Sequence, residues 1–188
     1  MAAAAPGQAS RLRPGRRWAW RLLAATAVLV VAFSAATARL LVWPAQGMPE
    51  HADAIVMMAG PGARLPVAVG LARQGRAGVL VVSQGHLGYG SPCPPAVPGV
   101  RLICFDPDPS DTRGEAEFAA RLARKYGWHS VVLVTTREQD TRARILMARC
   151  FTGSIYVVTT ARPWYDWPYQ IAYGWGALVK ALTMKRGC

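Results

Sequence analysis

The chain reads as an α/β fold built on a parallel sheet. Five short runs rich in Val, Ile and Leu are separated by segments of helical periodicity. One of them, Val131-Val132-Leu133-Val134, has no polar position at all. A strand without an outward polar face is buried on both sides, the habit of parallel sheets flanked by helices. Ahead of these elements lies one apolar run long enough to cross a bilayer. The expected architecture is a three-layer sandwich around a five-stranded parallel sheet, preceded by one N-terminal transmembrane helix.

That helix is expected over residues 22–43. No charge occurs from Leu22 to Ala38, and with Leu40 to Trp43 the stretch spans roughly 33 Å at about 1.5 Å per residue, against a bilayer core of roughly 30 Å. Trp18, Trp20 and Trp43 flank it as interfacial aromatics do. Arg11, Arg13, Arg16, Arg17 and Arg21 precede it, which predicts a cytoplasmic basic tail over 1–21 and an exported domain at the plasma membrane. A cleaved signal peptide is the competing reading, because Ala36-Thr37-Ala38 fits a small-x-small site. Under either reading the rest of the chain is exported, as a Pro/Gly linker over 44–52 and a domain over 53–188.

Export agrees with the cysteines. Cys93, Cys104, Cys150 and Cys188 show no metal-ligand spacing, and in an oxidising compartment two disulfides are the default. Cys93–Cys104 would close a Pro-rich loop and Cys150–Cys188 would tie down the C-terminus; the other two pairings stay open. The net charge of +12 looks nucleic-acid-like, but residues 1–39 hold six Arg and no acid, so half of it directs topology. The rest is scattered, and nucleic acid is not an expected partner; the lipid bilayer, through residues 22–43, is.

In order, strands are expected at Ala54–Ala59, Gly78–Ser83, Val100–Phe105, Ser130–Thr135 and Ser154–Val158. Helices are expected at Arg64–Gln74, Thr112–Tyr126, Glu138–Cys150 and Pro168–Lys185. Thr112 reads as an N-cap with Glu115 completing a capping box. In the last helix, Ile171, Trp175, Leu178, Val179 and Leu182 fall at helical spacing and predict a core-facing stripe. Trp164, Tyr165 and Trp167, just before it, suit a membrane interface or a sugar face. Right-handed crossovers favour strand order 3-2-1-4-5, a Rossmann-like arrangement whose switch point lies between strands one and four.

Ligands of such sheets bind beyond the carboxyl ends of the strands. There the chain carries Gly60, Gly62 and Arg64, then Ser83 and Gly85. Asp106 and Thr112-Arg113-Gly114-Glu115-Ala116 come next. The fourth strand ends in Thr135-Thr136-Arg137-Glu138-Gln139-Asp140-Thr141-Arg142-Ala143. With Asp53 ahead of strand one, this ordered set, over about residues 53–160, resembles the YdcF-like family that includes the SanA and ElyC envelope proteins. The resemblance implies a membrane-tethered α/β domain linked to cell-envelope biogenesis. Two positions depart from the pattern: Gly114-Glu115 stands for Glu-Asn, and Gln139 for a His. A Gln is no general base, so a mechanism built on that His does not transfer.

From the residues themselves, Arg64 and Arg142 open the helices after strands one and four. Two guanidinium groups at helix N-termini suit an anion. The alternative is a structural network with neighbouring acids. The expected ligand set is Gly60, Gly62, Arg64, Ser83, Gly85, Thr112, Glu115, Thr136, Gln139 and Arg142, around a small phosphorylated or otherwise anionic envelope precursor. Asp106 and Asp140 are the candidate acid and base; Asp106, Asp108 and Asp111, interleaved with Pro107 and Pro109, read more readily as turn formers. His86 is the one His on this edge. Gly60-Pro61-Gly62 lacks the third Gly of a dinucleotide loop, where Leu65 stands, so no cofactor is expected, and no metal. An enzyme acting on the precursor by hydrolysis or group transfer, and a non-catalytic binding or scaffold protein, are the two readings.

Overall fold

The computed structural model describes residues 14–85, 92–184 and 187–188, with 14–16 described by backbone alone. Arg11, Arg13, His86 and Lys185 lie outside the described residues. The chain forms two compact units, residues 1–37 and 38–188.

In the first, helix α1 runs Pro14–Thr37. With the π-helical turn Ala38–Val42, it gives a 26-residue stretch from Arg17 whose most apolar 18-residue window has a mean hydropathy of 2.0, long and apolar enough to cross a membrane. A signal sequence would pass the same test.

The second unit is the predicted sandwich. Strands β1 (Ala54–Met57), β2 (Val79–Ser83), β3 (Arg101–Phe105), β4 (Ser130–Thr136) and β5 (Ser154–Thr160) form one parallel sheet in order 3-2-1-4-5. β1 pairs with β2 on one side and β4 on the other, with Val56 opposite Val81 and Leu133. Helices α2 (Arg64–Arg73), α3 (Thr112–Tyr126), α4 (Arg137–Cys150) and α5 (Trp167–Thr183) complete it. Each strand and helix expected in this unit is present with its ends shifted by at most two residues, the usual uncertainty of frayed termini.

The period-two alternation of strand side chains sorts the core into two. Val56, Val81, Val131 and Leu133 face α3 and α4, whose Ala116, Ala119, Ala120, Ala143, Leu146 and Met147 are all buried. Ile55, Met57, Leu80, Val82, Val132 and Val134 face Ala68 and Ala72 of α2. Val131 to Val134 are wholly buried, as their apolar run predicts.

No helix joins β2 to β3 among the described residues. In the described part of the connection, residues 92–100, Val97 is buried and Cys93 is tied to β3 by the Cys93–Cys104 disulfide, whose Cα atoms are 5.8 Å apart. Cys150 and Cys188 form the second bridge.

Two expectations need correction. The cap of α3 is Asp111, whose carboxylate accepts from the amides of Arg113 (2.8 Å) and Gly114 (3.2 Å), not Thr112. A carboxylate one residue earlier satisfies the free N–H groups and the helix dipole together. Glu115 is therefore freed from the capping box. On α5, the buried face is Gln170, Gly174, Leu178 and Ala181, so of the expected stripe only Leu178 is buried, while Val179 and Leu182 are exposed. Gly174 explains the rotation: a Cβ there would stand 3.2 Å from both methyls of Leu41, so its absence lets α5 close on the π-helical turn.

Candidate functional site

β1 and β4 lie side by side, so the chain leaves them in opposite directions along the sheet and opens a crevice at their carboxyl ends. Its volume is about 820 Å³. The floor comes from Ala59, Gly60 and Pro61 after β1, and from Gly85 after β2. Pro107 and the run Ser110 to Arg113, with Glu115, form one wall; Gln139, Arg142 and Leu146 of α4 form a second, with Arg162 after β5. Tyr169, Tyr173, Ala177 and Lys180 of α5 close the top.

Arg64 lies beneath the floor, wholly buried. Its Nη1 donates to the carbonyls of Met58 (3.1 Å) and Ala59, and Nη2 donates to Thr136 Oγ1 at 3.2 Å; Nε has no partner. The turn must pass directly over this guanidinium, which requires glycine at position 60. Its φ is +131°, and a Cβ would stand 2.8 Å from both Nη atoms. Burial lowers the Arg64 pKa to about 10; Glu115 and Glu138 oppose the fall, and the charges of Arg162 and Arg142 add to it. At neutral pH it remains a cation.

The charge continues through buried acids. Thr136 Oγ1 donates to Glu138 Oε1 at 2.5 Å, and Arg162 Nε donates to the same oxygen at 2.8 Å. The other oxygen of Glu138, also buried, has no partner. Arg162 reaches on to Asp166 at 3.5 Å.

Across the floor, the Ala59 amide donates to Glu115 Oε1 at 2.5 Å. Burial pushes the Glu115 pKa up to about 6, against the Ala59 amide, the nearby Ser83 hydroxyl and the positive charges of Arg64 and Arg142. Ser83 Oγ, wholly buried, makes no hydrogen bond of ordinary geometry and acts on the carboxylate by proximity. Arg142 is half-buried. Its guanidinium lies 5.7 Å from the centre of the Tyr173 ring, and its Nε is unpartnered.

Of the predicted site residues, Gly60, Gly85, Thr112, Glu115, Gln139 and Arg142 line the crevice. Arg64, Ser83 and Thr136 lie directly beneath it. Gly62 backs onto Thr136 and Thr160 and is not part of the lining. Gln139 accepts from Thr135 Oγ1 at 3.4 Å.

The two candidate acids are placed elsewhere. Asp106 is exposed, outside the lining formed by its neighbour Pro107. Asp140 faces the segment preceding β1: Arg144 Nε donates to it at 2.5 Å, and Gln46 Nε2 at 3.3 Å. Burial raises its pKa, against Arg144, Gln46 and Arg39. Gln46 also accepts from Thr159, and Arg144 donates to Ala45 O at 2.6 Å, so the expected linker is stitched along β5 and α4. Asp53 sits at the opposite edge of the sheet, accepting from the amides of His129 and Ser130 and the Ser130 hydroxyl, each within 2.9 Å. It is a clasp between the starts of β1 and β4.

Sequence reasoning passed over Arg162, Glu138 and the α5 residues. Arg162 was within reach of the strand-end rule, two residues past β5. Glu138 reads from sequence as an ordinary first-turn acid. Among the described residues, no three His, Cys, Asp or Glu side chains are grouped to hold a metal. Comparison with family models, curated proteins and solved structures finds no match.

Proposed function

We propose that this chain is a membrane-anchored, extracytoplasmic protein of cell-envelope biogenesis that binds a phosphorylated or otherwise anionic precursor in the carboxyl-edge crevice. The observation that carries the reading is the charge arrangement. Arg64, Arg142 and Arg162 converge on two buried carboxylates, Glu115 and Glu138, with the partly exposed Asp166 3.5 Å from the outer side of Arg162, so three guanidinium groups face two buried carboxyls at the crevice. α4 begins there with no side-chain cap, and Gln139 of its first turn lines the crevice. Arg142, with an unpartnered Nε and a ring behind it, is the residue that would meet the ligand; Arg64 and Thr136 hold the floor. The arginines before the apolar helix and the two disulfides support an exported domain, and the ordered motifs resembling YdcF-like proteins support the envelope.

If the protein is an enzyme, Glu115 is the acid or base. A carboxyl with a pKa near 6 exchanges protons at physiological pH, and it faces the crevice. The reaction would then be hydrolysis or group transfer at the anionic centre, with Glu115 deprotonating the attacking water or hydroxyl. The second reading, a non-catalytic binding protein, is favoured by Gln139, which offers no base where the family pattern has a His.

Assays of the full-length protein with phosphate mono- and diesters decide between them. Turnover abolished in Glu115→Gln, with inorganic phosphate still bound, supports the enzyme. Wild-type binding without turnover supports the scaffold. Failure of wild type to bind any anion sinks both.

A further inference from the structure

Exposed large apolar side chains of the folded unit are concentrated in one segment. Among the described residues, and apart from Trp43 and Tyr126, those in the second unit lie between Trp164 and Met184. Trp164 is 83% exposed, Tyr165 67% and Val179 53%. This segment has two further properties. It supplies the top of the crevice, through Tyr169, Tyr173 and Lys180. It also packs against the residues that end the apolar run: Leu41 is buried against Gly174, and beside it, on α4, the Thr141 hydroxyl donates to Leu40 O at 2.6 Å. The last turn of the hydrophobic stretch is thus part of the domain, fixed to α4 and α5 with no free linker between them.

A soluble ligand would need none of this. A domain clamped at the point where its chain leaves the apolar run must hold the adjoining surface at the bilayer. Trp and Tyr rings with aliphatic neighbours are the side chains that rest at headgroup level. The crevice has guanidinium groups on the α4 side, and on the α5 side Tyr169, Tyr173, Gly176 and Ala177 together with Lys180, a further cation for a headgroup.

We infer that the segment 164–184 lies on the lipid surface and that the crevice takes the anionic headgroup of a membrane amphiphile, whose hydrocarbon stays in the bilayer. The inference rests on the proposed anion site and adds where the ligand comes from. The bilayer supplies the ligand at high local concentration, so weak headgroup contacts suffice for occupancy.

The test uses the full-length chain in phosphatidylcholine nanodiscs. Affinity for inorganic phosphate is measured with and without phosphatidic acid at about two per cent of the lipid, too little to build an appreciable surface potential. Phosphatidic acid should occupy the crevice and weaken phosphate binding by about tenfold or more through competition. In Trp164→Gln/Tyr165→Gln/Val179→Gln, none of whose positions lines the crevice, phosphate should bind as in wild type, and the effect of phosphatidic acid should fall below about threefold. Equal phosphate affinity in both wild-type discs overturns the inference, as does a variant that keeps the full competition. Two wild-type copies per disc against one for the variant would assign this face to a second copy of the chain, again overturning it. No phosphate binding in phosphatidylcholine discs instead removes the anion site itself.

Discussion

The amide of Ala59 donates to Oε1 of Glu115 at 2.5 Å, fastening an acid of α3 to the turn after β1. The contact spans 56 positions of sequence and brings a buried carboxyl within the field of Arg64 and Arg142.

Its first consequence is a pH dependence of stability. The Glu115 pKa rises from 4.5 to about 6 on folding, so the folded state holds its proton more tightly than the unfolded chain. This contribution is present in full below pH 4.5 and is lost as pH rises through about 6. The shift corresponds to about 2 kcal/mol. Denaturant unfolding in mild detergent should show wild type losing this amount, relative to Glu115→Gln, across that window. Sulfate, whose charge is constant there, should bind more tightly on the acidic side, where Glu115 is neutral.

Glycine substitutions should separate by what a Cβ meets. Gly60→Ala forces a methyl against the Arg64 guanidinium at positive φ and should cost about 1–3 kcal/mol. Gly114→Ala drives a Cβ into the carbonyl of Pro109, a backbone group that cannot step aside. Its cost should exceed about 3 kcal/mol. Gly70→Ala, in α2 with open space around it, should stabilise by about 0.5–1 kcal/mol. Thermal or denaturant unfolding ranks the three.

Asp106 and Asp140 look alike from sequence as strand-end acids, and the structure separates both from the crevice. Asp106→Asn and Asp140→Asn should each leave sulfate affinity within about twofold of wild type in calorimetry. Asp140→Asn should nonetheless cost about 1–3 kcal/mol of stability, because Arg144 loses its charged partner.

Removing the bridges should cost unequal amounts. Cys150–Cys188 joins positions 38 apart and Cys93–Cys104 positions 11 apart. Loss of the longer should cost about 2–5 kcal/mol and loss of the shorter less, measured by unfolding of Cys→Ser pairs under non-reducing conditions.

Strand order and element identity were legible because they rest on periodicity and on Val131 to Val134, whose apolar run admits one kind of strand. The crevice position came with the order. What sequence did not carry was orientation. Glu115 has the spacing of a capping-box acid to Thr112, and only Asp111 taking the cap frees it to meet Ala59. The α5 stripe had the right period but the wrong phase, because Gly174, with no side chain to score, sets which face closes on Leu41. Asp140 is the immediate neighbour of Gln139 in sequence, yet one step along the helix turns it away from the crevice toward Gln46 and Arg144. Long-range partners of this kind leave no local signal.

Calorimetric titration of the full-length protein with inorganic phosphate probes the anion site without any assumption about the reaction. Wild type should bind, Arg142→Ala should bind at least about tenfold more weakly, and Arg124→Ala, on the body of α3, should match wild type. Absence of binding to wild type, or undiminished affinity in Arg142→Ala, would mean that the crevice is not an anion site.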